Sequence, residues 1–216
     1  TYFIRVRSTD QGGLWIEKSF TIKISPPLKT GGIYLPLMLN SNTYPLRNGG
    51  FEEGPNVGWQ EYSSNGFDLI YYWPAMAHKG NWLAWLGGND DEISSISQWV
   101  AIQPAKPYLH YWYWIDSYDI CGFDEFLVMI NGDVVKRYDL CWEEDTWGWM
   151  PGMVDLSPYI GQLVKIKFEV ETDSSNYSNL FIDDIELTSK STLSAPEFRD
   201  GEINLTEIDK IEFKKE

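Results

Sequence analysis

The sequence predicts an all-β protein whose main domain is a β-sandwich. Between residues 48 and about 189, short runs of mixed apolar and polar residues are separated by turn residues, at the spacing typical of a sandwich or barrel. No segment shows a convincing helical period. Asn131, Gly132 and Asp133 stand between two such runs, and Asn and Gly accept the positive φ of a hairpin turn.

Seven strands are predicted in this domain, over residues 82–86, 96–103, 108–116, 124–130, 134–140, 163–171 and 180–187. The clearest is 163–171, in which apolar residues alternate with Lys and Glu. This alternation directs Val164, Ile166, Phe168 and Val170 into the core and the charged residues towards solvent.

The flanking segments predict a different organisation. Residues 1–24 alternate on both sides of a Gly-Gly turn and predict a β-hairpin, which alone is marginal in water. We therefore expect it to belong to a larger sandwich, and the chain to be a piece of a longer protein. Residues 25–47 are rich in Pro and Gly and indicate a linker, whereas residues 190–216 are highly charged and predict either a tail or the start of another module.

Charge and composition exclude several classes of function. The chain has 216 residues, with 17 Lys plus Arg against 32 Asp plus Glu, and a net charge of −15. Such a balance disfavours nucleic acid and anionic membrane surfaces, and it suits cations, neutral sugars or basic partners. The aromatic content of 16%, with 11 Trp, is typical of a folded protein. No apolar run approaches the roughly 20 residues of a membrane span.

Two motifs at the ends of the main domain carry a family resemblance. NGGFEEGPNVGW spans residues 48–59, and LFIDDIEL spans residues 180–187. Together they resemble the jelly-roll modules of the galactose-binding-like group, which includes carbohydrate-binding modules and MAM-like domains of bacterial surface proteins. The resemblance implies a jelly-roll β-sandwich over residues 48–189. Residues 1–24 are similar to the last two strands of a cadherin-like repeat.

The same resemblance implies a structural calcium site. In such jelly rolls the first and last strands run side by side, which brings the FEEG turn next to the two aspartates. Carboxylate and main-chain oxygens are the ligands that Ca²⁺ prefers. Glu52, Asp183 and Asp184 are therefore the predicted metal ligands, with Glu53 and main-chain oxygens near Asn48 in support. The alternative is that the aspartates are ordinary polar residues at the end of a strand.

The hairpin register places the two cysteines. A hairpin centred on Gly132 and Asp133 pairs residues whose numbers sum to about 265, so Asp124 lies opposite Cys141 and Cys121 lies three residues further out. A short bend brings the thiols into bonding range, and we predict a Cys121–Cys141 disulfide. The bond would fit an extracellular or cell-surface protein. Two unpaired buried thiols are the alternative.

The tryptophans form the candidate ligand-binding surface. Alternation in strand 108–116 directs Trp112 and Trp114 outward, where they would join Leu127 and Met129 in one apolar patch if strands 108–116 and 124–130 are neighbours. The patch is either an open sugar site or covered by the linker or by loop 141–149.

A loop carries the stronger candidates for sugar contact. Loops concentrate binding residues, which favours Trp142, Trp147 and Trp149 as sugar contacts. Three further tryptophans are assigned to the core or its edge: Trp82, Trp85 and Trp99.

The sequence predicts no enzyme. It contains no nucleophile elbow, zinc-protease motif or phosphate-binding loop. His110 is expected on a strand surface and His78 in a loop. The main hypothesis is a non-catalytic, calcium-stabilised module for adhesion or binding to a glycan or surface protein. The alternatives are a filament or surface-layer subunit that forms homo-oligomers through its terminal strands, and an accessory domain of a secreted hydrolase.

Overall fold

The computed structural model describes residues 2–9, 15–22 and 44–191. The chain divides into two compact units, Thr1–Leu35 and Pro36–Glu216. Most of the predicted linker and the segment 192–216 lie outside the described residues, so these predictions stay open. In the part of the chain that the structure describes, no helix is long and apolar enough to cross a membrane.

The first unit contains the predicted hairpin. Strands β1 (Tyr2–Thr9) and β2 (Trp15–Ile22) pair antiparallel, from Tyr2 opposite Ile22 to Thr9 opposite Trp15. The alternating pattern of residues 1–24 therefore located both strands. That this hairpin closes a cadherin-like repeat stays a prediction.

The second unit is a β-sandwich of two five-stranded antiparallel sheets. The first sheet has the order β10-β7-β12-β5-β4, and the second has the order β3-β6-β11-β8-β9. A 3-10 turn, Ser157–Tyr159, lies between β10 and β11. The strands are β3 (Gln60–Ser63), β4 (Ile70–Tyr72), β5 (Trp82–Gly87), β6 (Ile93–Ala101), β7 (Tyr108–Ser117), β8 (Glu125–Ile130), β9 (Asp133–Asp139), β10 (Met150–Asp155), β11 (Leu163–Glu171) and β12 (Ser178–Thr188).

This arrangement confirms the predicted jelly-roll β-sandwich. All seven predicted strands are present, with ends that differ by up to three residues. Sequence reasoning missed β3, β4 and β10. Two of these are only three or four residues long, and β10 contains Pro151 and Gly152, which interrupt the strand pattern.

The core lies between the sheets and follows the strand alternation. Val164, Ile166, Phe168 and Val170 of β11 are all fully buried, as predicted. Phe168 packs edge-on against Tyr111 of β7, with ring centroids 5.1 Å apart. Each such side chain contributes about 1.5 to 3 kcal/mol of hydrophobic stabilisation. The buried Tyr111 hydroxyl is satisfied by the Tyr138 hydroxyl at 2.8 Å, so this core polar group has a partner.

The β8–β9 hairpin turns at Asn131 and Gly132, whose φ angles are 55° and 94°. Ile130 pairs with Asp133 across this two-residue turn. A register shift next to Val128 then places Asp124 opposite Leu140, one residue from the predicted position. The predicted Cys121–Cys141 disulfide is present, with the two Cα atoms 4.9 Å apart.

The condition for the predicted apolar patch, that the two strands are neighbours, is not met. Strands β7 and β8 lie in different sheets, so Trp112 and Trp114 do not form a patch with Leu127 and Met129. Consecutive strands cross between the sheets here, which alternation within a strand does not reveal.

Three single residues also differ from expectation. Trp99 is 53% exposed on β6, and Trp85 on β5 alternates with the core residues Ala84 and Leu86, so neither lies in the core. His110 is 2% exposed, because its strand runs between β10 and β12 and the Lys190 backbone lies close to its ring.

Candidate functional site

The two ends of the sandwich domain meet beside β12. The Ile185 N–H donates a hydrogen bond to the Gly49 carbonyl at 2.9 Å. Gly49 has no room for a side chain, because a Cβ there would overlap the Ile185 carbonyl. The same approach places Gly50 against the carboxylates of Asp183 and Asp184. The FEEG segment and the aspartate pair therefore lie together.

The predicted metal ligands converge on one loop, residues 78–82. The Asp183 carboxylate accepts hydrogen bonds from the backbone N–H groups of His78 at 2.9 Å and Lys79 at 3.2 Å. The Glu52 carboxylate accepts from those of Asn81 at 2.7 Å and Trp82 at 2.9 Å. All these acceptors belong to the two end motifs, so the loop is held from both sides.

Asp184 completes the convergence through a side-chain contact. Its Oδ2 lies 2.6 Å from Nδ1 of His78. Asp184 adopts a φ of 46° where the pairing of β12 with β7 shifts register, between Asp183 and Glu186. This irregularity turns consecutive carboxylates towards the same loop, which an ordinary strand would not do.

Asp183 has the most perturbed carboxyl group of the site. It is fully buried, and burial together with the neighbouring Asp184 charge raises its pKa to about 7. Hydrogen bonds from Lys79, Asp184 and His78 oppose that rise. A buried carboxylate of this kind is stabilised by any cation that approaches it.

The three predicted ligands do not form the tightest acidic cluster. Among the described residues, the group whose ligand atoms all lie within 4.8 Å of one another consists of Asp119, Asp124 and Asp173. Sequence reasoning assigned no ligand role to any of these three residues. The proximity of Asp119 and Asp124 to Asp173 depends on the pairing of β8 with β11, which no local pattern gives.

A row of aromatic rings crosses the outer face of the first sheet. We call it the aromatic row; neighbouring ring centroids in it are 4.1 to 6.2 Å apart. Its strand members alternate with core residues, so they point away from the core. The row consists of Trp73, Trp85, Phe181, Trp114, Trp149, His78 and Trp112.

Loop 73–81 covers one end of the aromatic row. The His78 ring stacks on Trp112 with centroids 4.1 Å apart, and the Trp149 indole N–H donates to the Met76 carbonyl at 3.0 Å. This cover leaves three tryptophans partly accessible to solvent: Trp112, Trp114 and Trp149. The two covering segments considered from sequence did not include this loop, although it begins with Trp73 and carries His78 between Pro74 and Gly80.

Trp147 is the most accessible aromatic residue of the site, with 86% of its surface exposed. Its loop is fixed to β7, because Thr146 hydrogen bonds with the Ile115 backbone in both directions. The Trp147 N–H also donates to the Asp145 carboxylate at 2.7 Å. Trp142 is 57% exposed in the same loop, next to the disulfide. An exposed indole on a fixed backbone is preorganised for stacking on a ligand.

Hydrogen-bonding groups lie beside these rings. The Asn179 amide donates to the Asp116 carboxylate at 3.2 Å and accepts from the Trp85 indole N–H at 2.9 Å. Burial and the nearby Asp145 charge raise the pKa of Asp116. Sequence reasoning did not assign Asn179 or Asp145 to the site, because their proximity to the rings arises from strand pairing.

A cleft of about 590 Å³ lies at the covered end of the row. It is lined by residues of segment 45–50, loop 73–81, β7 and β12, including Leu46, His78, Trp112 and Asp184. The lining combines the rings of His78 and Trp112 with charged side chains of both signs: Lys79, Lys106, Asp184 and Glu186. This cleft joins the aromatic row to the site of the predicted metal ligands.

Comparisons with known proteins give similar folds at low identity. No protein-family model matches the sequence, and no curated protein matches it. The carbohydrate-binding module TmCBM61, solved with β-1,4-galactotriose, is 17% identical, with a TM-score of 0.49, over 68% of this chain and 99% of the module.

Two further solved structures have similar scores. A structure of carbohydrate-binding modules from the β-sandwich superfamily is 16% identical, with a TM-score of 0.46, over 86% of this chain and 72% of the other. The K2 cleaved adhesin domain of Lys-gingipain is 16% identical, with a TM-score of 0.48, over 64% and 96%. At such identities and scores these likenesses identify no ligand, so the function proposed below rests on the residues of this chain.

Proposed function

We propose that this chain is a non-catalytic extracellular module that binds glycans through the loop face around Trp147. The observation that carries the proposal is the 86% exposure of Trp147, two residues from Trp149 of the aromatic row. Large exposed aromatic side chains on a fixed loop are typical of ligand contacts rather than of an inert surface.

The neighbouring polar groups match the chemistry of a sugar. Indole faces pack against the apolar C–H surfaces of pyranose rings, and carboxylates and amides hydrogen bond with hydroxyl groups. Asp116, Asp145 and Asn179 supply those groups close to the rings. The net charge of −15 favours a neutral glycan over an anionic one.

The proposal is tested on a glycan array with the full chain. We expect binding of the wild-type chain and a loss of at least about tenfold in affinity for Trp147→Ala, the range of a central aromatic contact. Trp149→Ala is expected to weaken binding as well. Trp99→Ala is the matched control, because Trp99 is 53% exposed on the other sheet. Absence of any bound glycan, or loss with Trp99→Ala alone, would contradict the proposed site.

We also propose that Glu52, Asp183 and Asp184 hold a structural Ca²⁺ ion at the junction of the domain ends. The buried Asp183, the adjacent Asp184 and their convergence with Glu52 on loop 78–82 support this. The donor set consists of oxygens, as calcium requires. Calcium is expected to raise the melting temperature of the wild-type chain, and Glu52→Gln is expected to reduce that rise. An unchanged melting temperature in EDTA would refute a stabilising ion here.

The wider assignment follows from the same features. We propose a MAM-like or galactose-binding-like module of a bacterial surface protein, preceded by the end of a cadherin-like repeat. The Cys121–Cys141 disulfide supports an oxidising, extracellular location. The partner is a glycan or a glycan-bearing surface protein.

A further inference from the structure

We propose a second divalent-cation site, formed by Asp119, Asp124 and Asp173 at one end of the sandwich. Asp119 follows β7, Asp124 precedes β8 and Asp173 follows β11. One carboxylate oxygen from each residue lies within 4.8 Å of the others. The three residues come from three separate segments, so an ion bound there would link them.

Burial makes this cluster different from the acidic loops on the surface. Asp119 and Asp124 are 1% and 0% exposed, and Asp173 is half-buried. Two of the three carboxylates have therefore left bulk water. A buried carboxylate needs hydrogen bonds or a cation, because its desolvation is otherwise unfavourable.

The hydrogen bonds of the cluster leave one oxygen without a partner. The Asp124 carboxylate accepts from the Asp173 N–H at 2.7 Å and from the Ser178 hydroxyl at 2.6 Å. Oδ1 of Asp119 accepts from the Ile120 N–H and from the Asn176 amide. Oδ2 of Asp119, however, is buried and has no hydrogen-bond partner. A buried oxygen of this kind is a coordination position that the protein itself does not fill.

The described part of the chain supplies no ion pair that offsets the charge of the cluster. In residues 44–191, no ion pair includes any of the three aspartates. Burial raises the pKa of Asp124, and the charges of Asp119 and Asp173 raise it further. Three carboxylates this close repel one another unless a cation lies between them.

The surrounding backbone holds the cluster in place. The Cys121–Cys141 disulfide closes the segment next to Asp119, and the Trp142 N–H donates to the Asp119 carbonyl at 2.9 Å. The Leu140 N–H donates to the Asp124 carbonyl, also at 2.9 Å. The donor atoms offered are carboxylate oxygens, without His or thiolate, and this set selects a hard cation such as Ca²⁺ over Zn²⁺.

Calcium titration of the full chain after removal of metal by EDTA tests this site. We expect Ca²⁺ to bind with a dissociation constant on the order of 0.1 to 1 mM, as in extracellular modules. Tb³⁺ bound in the same site should luminesce through energy transfer from nearby Tyr and Trp rings, and added Ca²⁺ should displace it and lower the signal. Asp173→Asn and Asp119→Asn are each expected to weaken this binding by about tenfold or more, because each removes a ligand charge. Asp68→Asn, on an exposed loop, is the matched control.

The outcomes separate this site from the one at the domain junction. Loss of one calcium in Asp173→Asn, with a second calcium lost only in Glu52→Gln, supports both sites. If only Glu52→Gln loses calcium, the Asp119 site is refuted and the junction site stands. If the wild-type chain binds no calcium, or if Asp173→Asn and Asp119→Asn bind it as the wild type does, the second site is likewise refuted.

Discussion

Two acidic regions of the sandwich show different ways of accommodating buried carboxylates. The junction cluster comprises Glu52, Asp183 and Asp184, and the loop cluster comprises Asp119, Asp124 and Asp173. In the junction cluster both oxygens of Asp183 accept backbone N–H groups. In the loop cluster an oxygen of Asp119 is buried without a partner. Backbone donors therefore satisfy the Asp183 carboxylate, whereas one buried oxygen of the loop cluster has no donor among the described residues.

The largest expected effect is the loss of stability in Asp183→Ala, which we compare with Asp173→Ala in the absence of metal. Asp183→Ala leaves three N–H groups, of His78, Lys79 and Asp184, without an acceptor, and we expect it to lower the free energy of unfolding by about 3 kcal/mol or more. Asp173→Ala should cost less than about 1 kcal/mol, because its Oδ1 accepts only from Ser175 in an exposed turn. Urea unfolding in EDTA measures both. Equal losses would show that the two clusters do not differ in this way.

Removal of the disulfide should lower the stability of the domain and weaken calcium binding at the loop cluster, but not at the junction cluster. The bond closes a loop with a sequence separation of 20, and the double variant Cys121→Ser, Cys141→Ser is expected to lose about 3 kcal/mol of stability. Calcium affinity at the loop cluster should fall, since Asp119 lies two residues from Cys121. Thermal unfolding and calcium titration measure the two effects. A matching loss of calcium at the junction cluster would contradict the independence of the two regions.

Two glycines provide a smaller, matched comparison. Gly49→Ala is expected to cost about 2 kcal/mol, because the new Cβ would overlap the Ile185 carbonyl and separate the domain ends. Gly122→Ala should cost only about 1 kcal/mol, since its surroundings are open and only its φ of 96° is unfavourable. Chemical denaturation measures the difference. A larger loss for Gly122→Ala would place the tighter constraint in the loop cluster instead.

The smallest effect is a dependence of stability on pH through His110. Burial lowers the pKa of this imidazole below its ordinary 6.5, so below pH 6.5 the unfolded chain binds a proton that the folded chain resists. The contribution of His110 to the free energy of unfolding should therefore fall as the pH falls below 6.5, and it is opposite in sign to the contribution of Asp183, whose raised pKa of about 7 favours the folded state at lower pH. Unfolding curves between pH 5 and 8 (roughly the range where His titrates) measure this slope. His110→Phe should reduce it, and an unchanged slope would assign it to other groups.

The strands could be predicted largely from local patterns. Alternation placed Val164, Ile166, Phe168 and Val170 in the core, and Asn131 with Gly132 located a hairpin turn whose register then located the disulfide. Each of these depends on residues close in sequence. β10 was missed because its Pro and Gly interrupt that local pattern.

The site could be predicted only in part, because it depends on which strands are neighbours. The approach of the FEEG segment to Asp183 followed from a family resemblance, not from any periodicity. The stacking of His78 on Trp112 and the proximity of Asp173 to Asp124 join residues 34 and 49 positions apart. Such contacts depend on sheet order, and the assumption that β7 and β8 are neighbours failed for the same reason.

The position of the disulfide has a consequence for proteolysis. The bond joins the open end of the β8–β9 hairpin, and residues 131–134 at the other end are exposed. A protease that cuts this turn, a preferred kind of cleavage site, would produce two fragments that remain covalently linked. The nicked chain would migrate as one species on a denaturing gel until a reductant is added. A module exposed to extracellular proteases could thus be cleaved there without releasing either part of its sandwich.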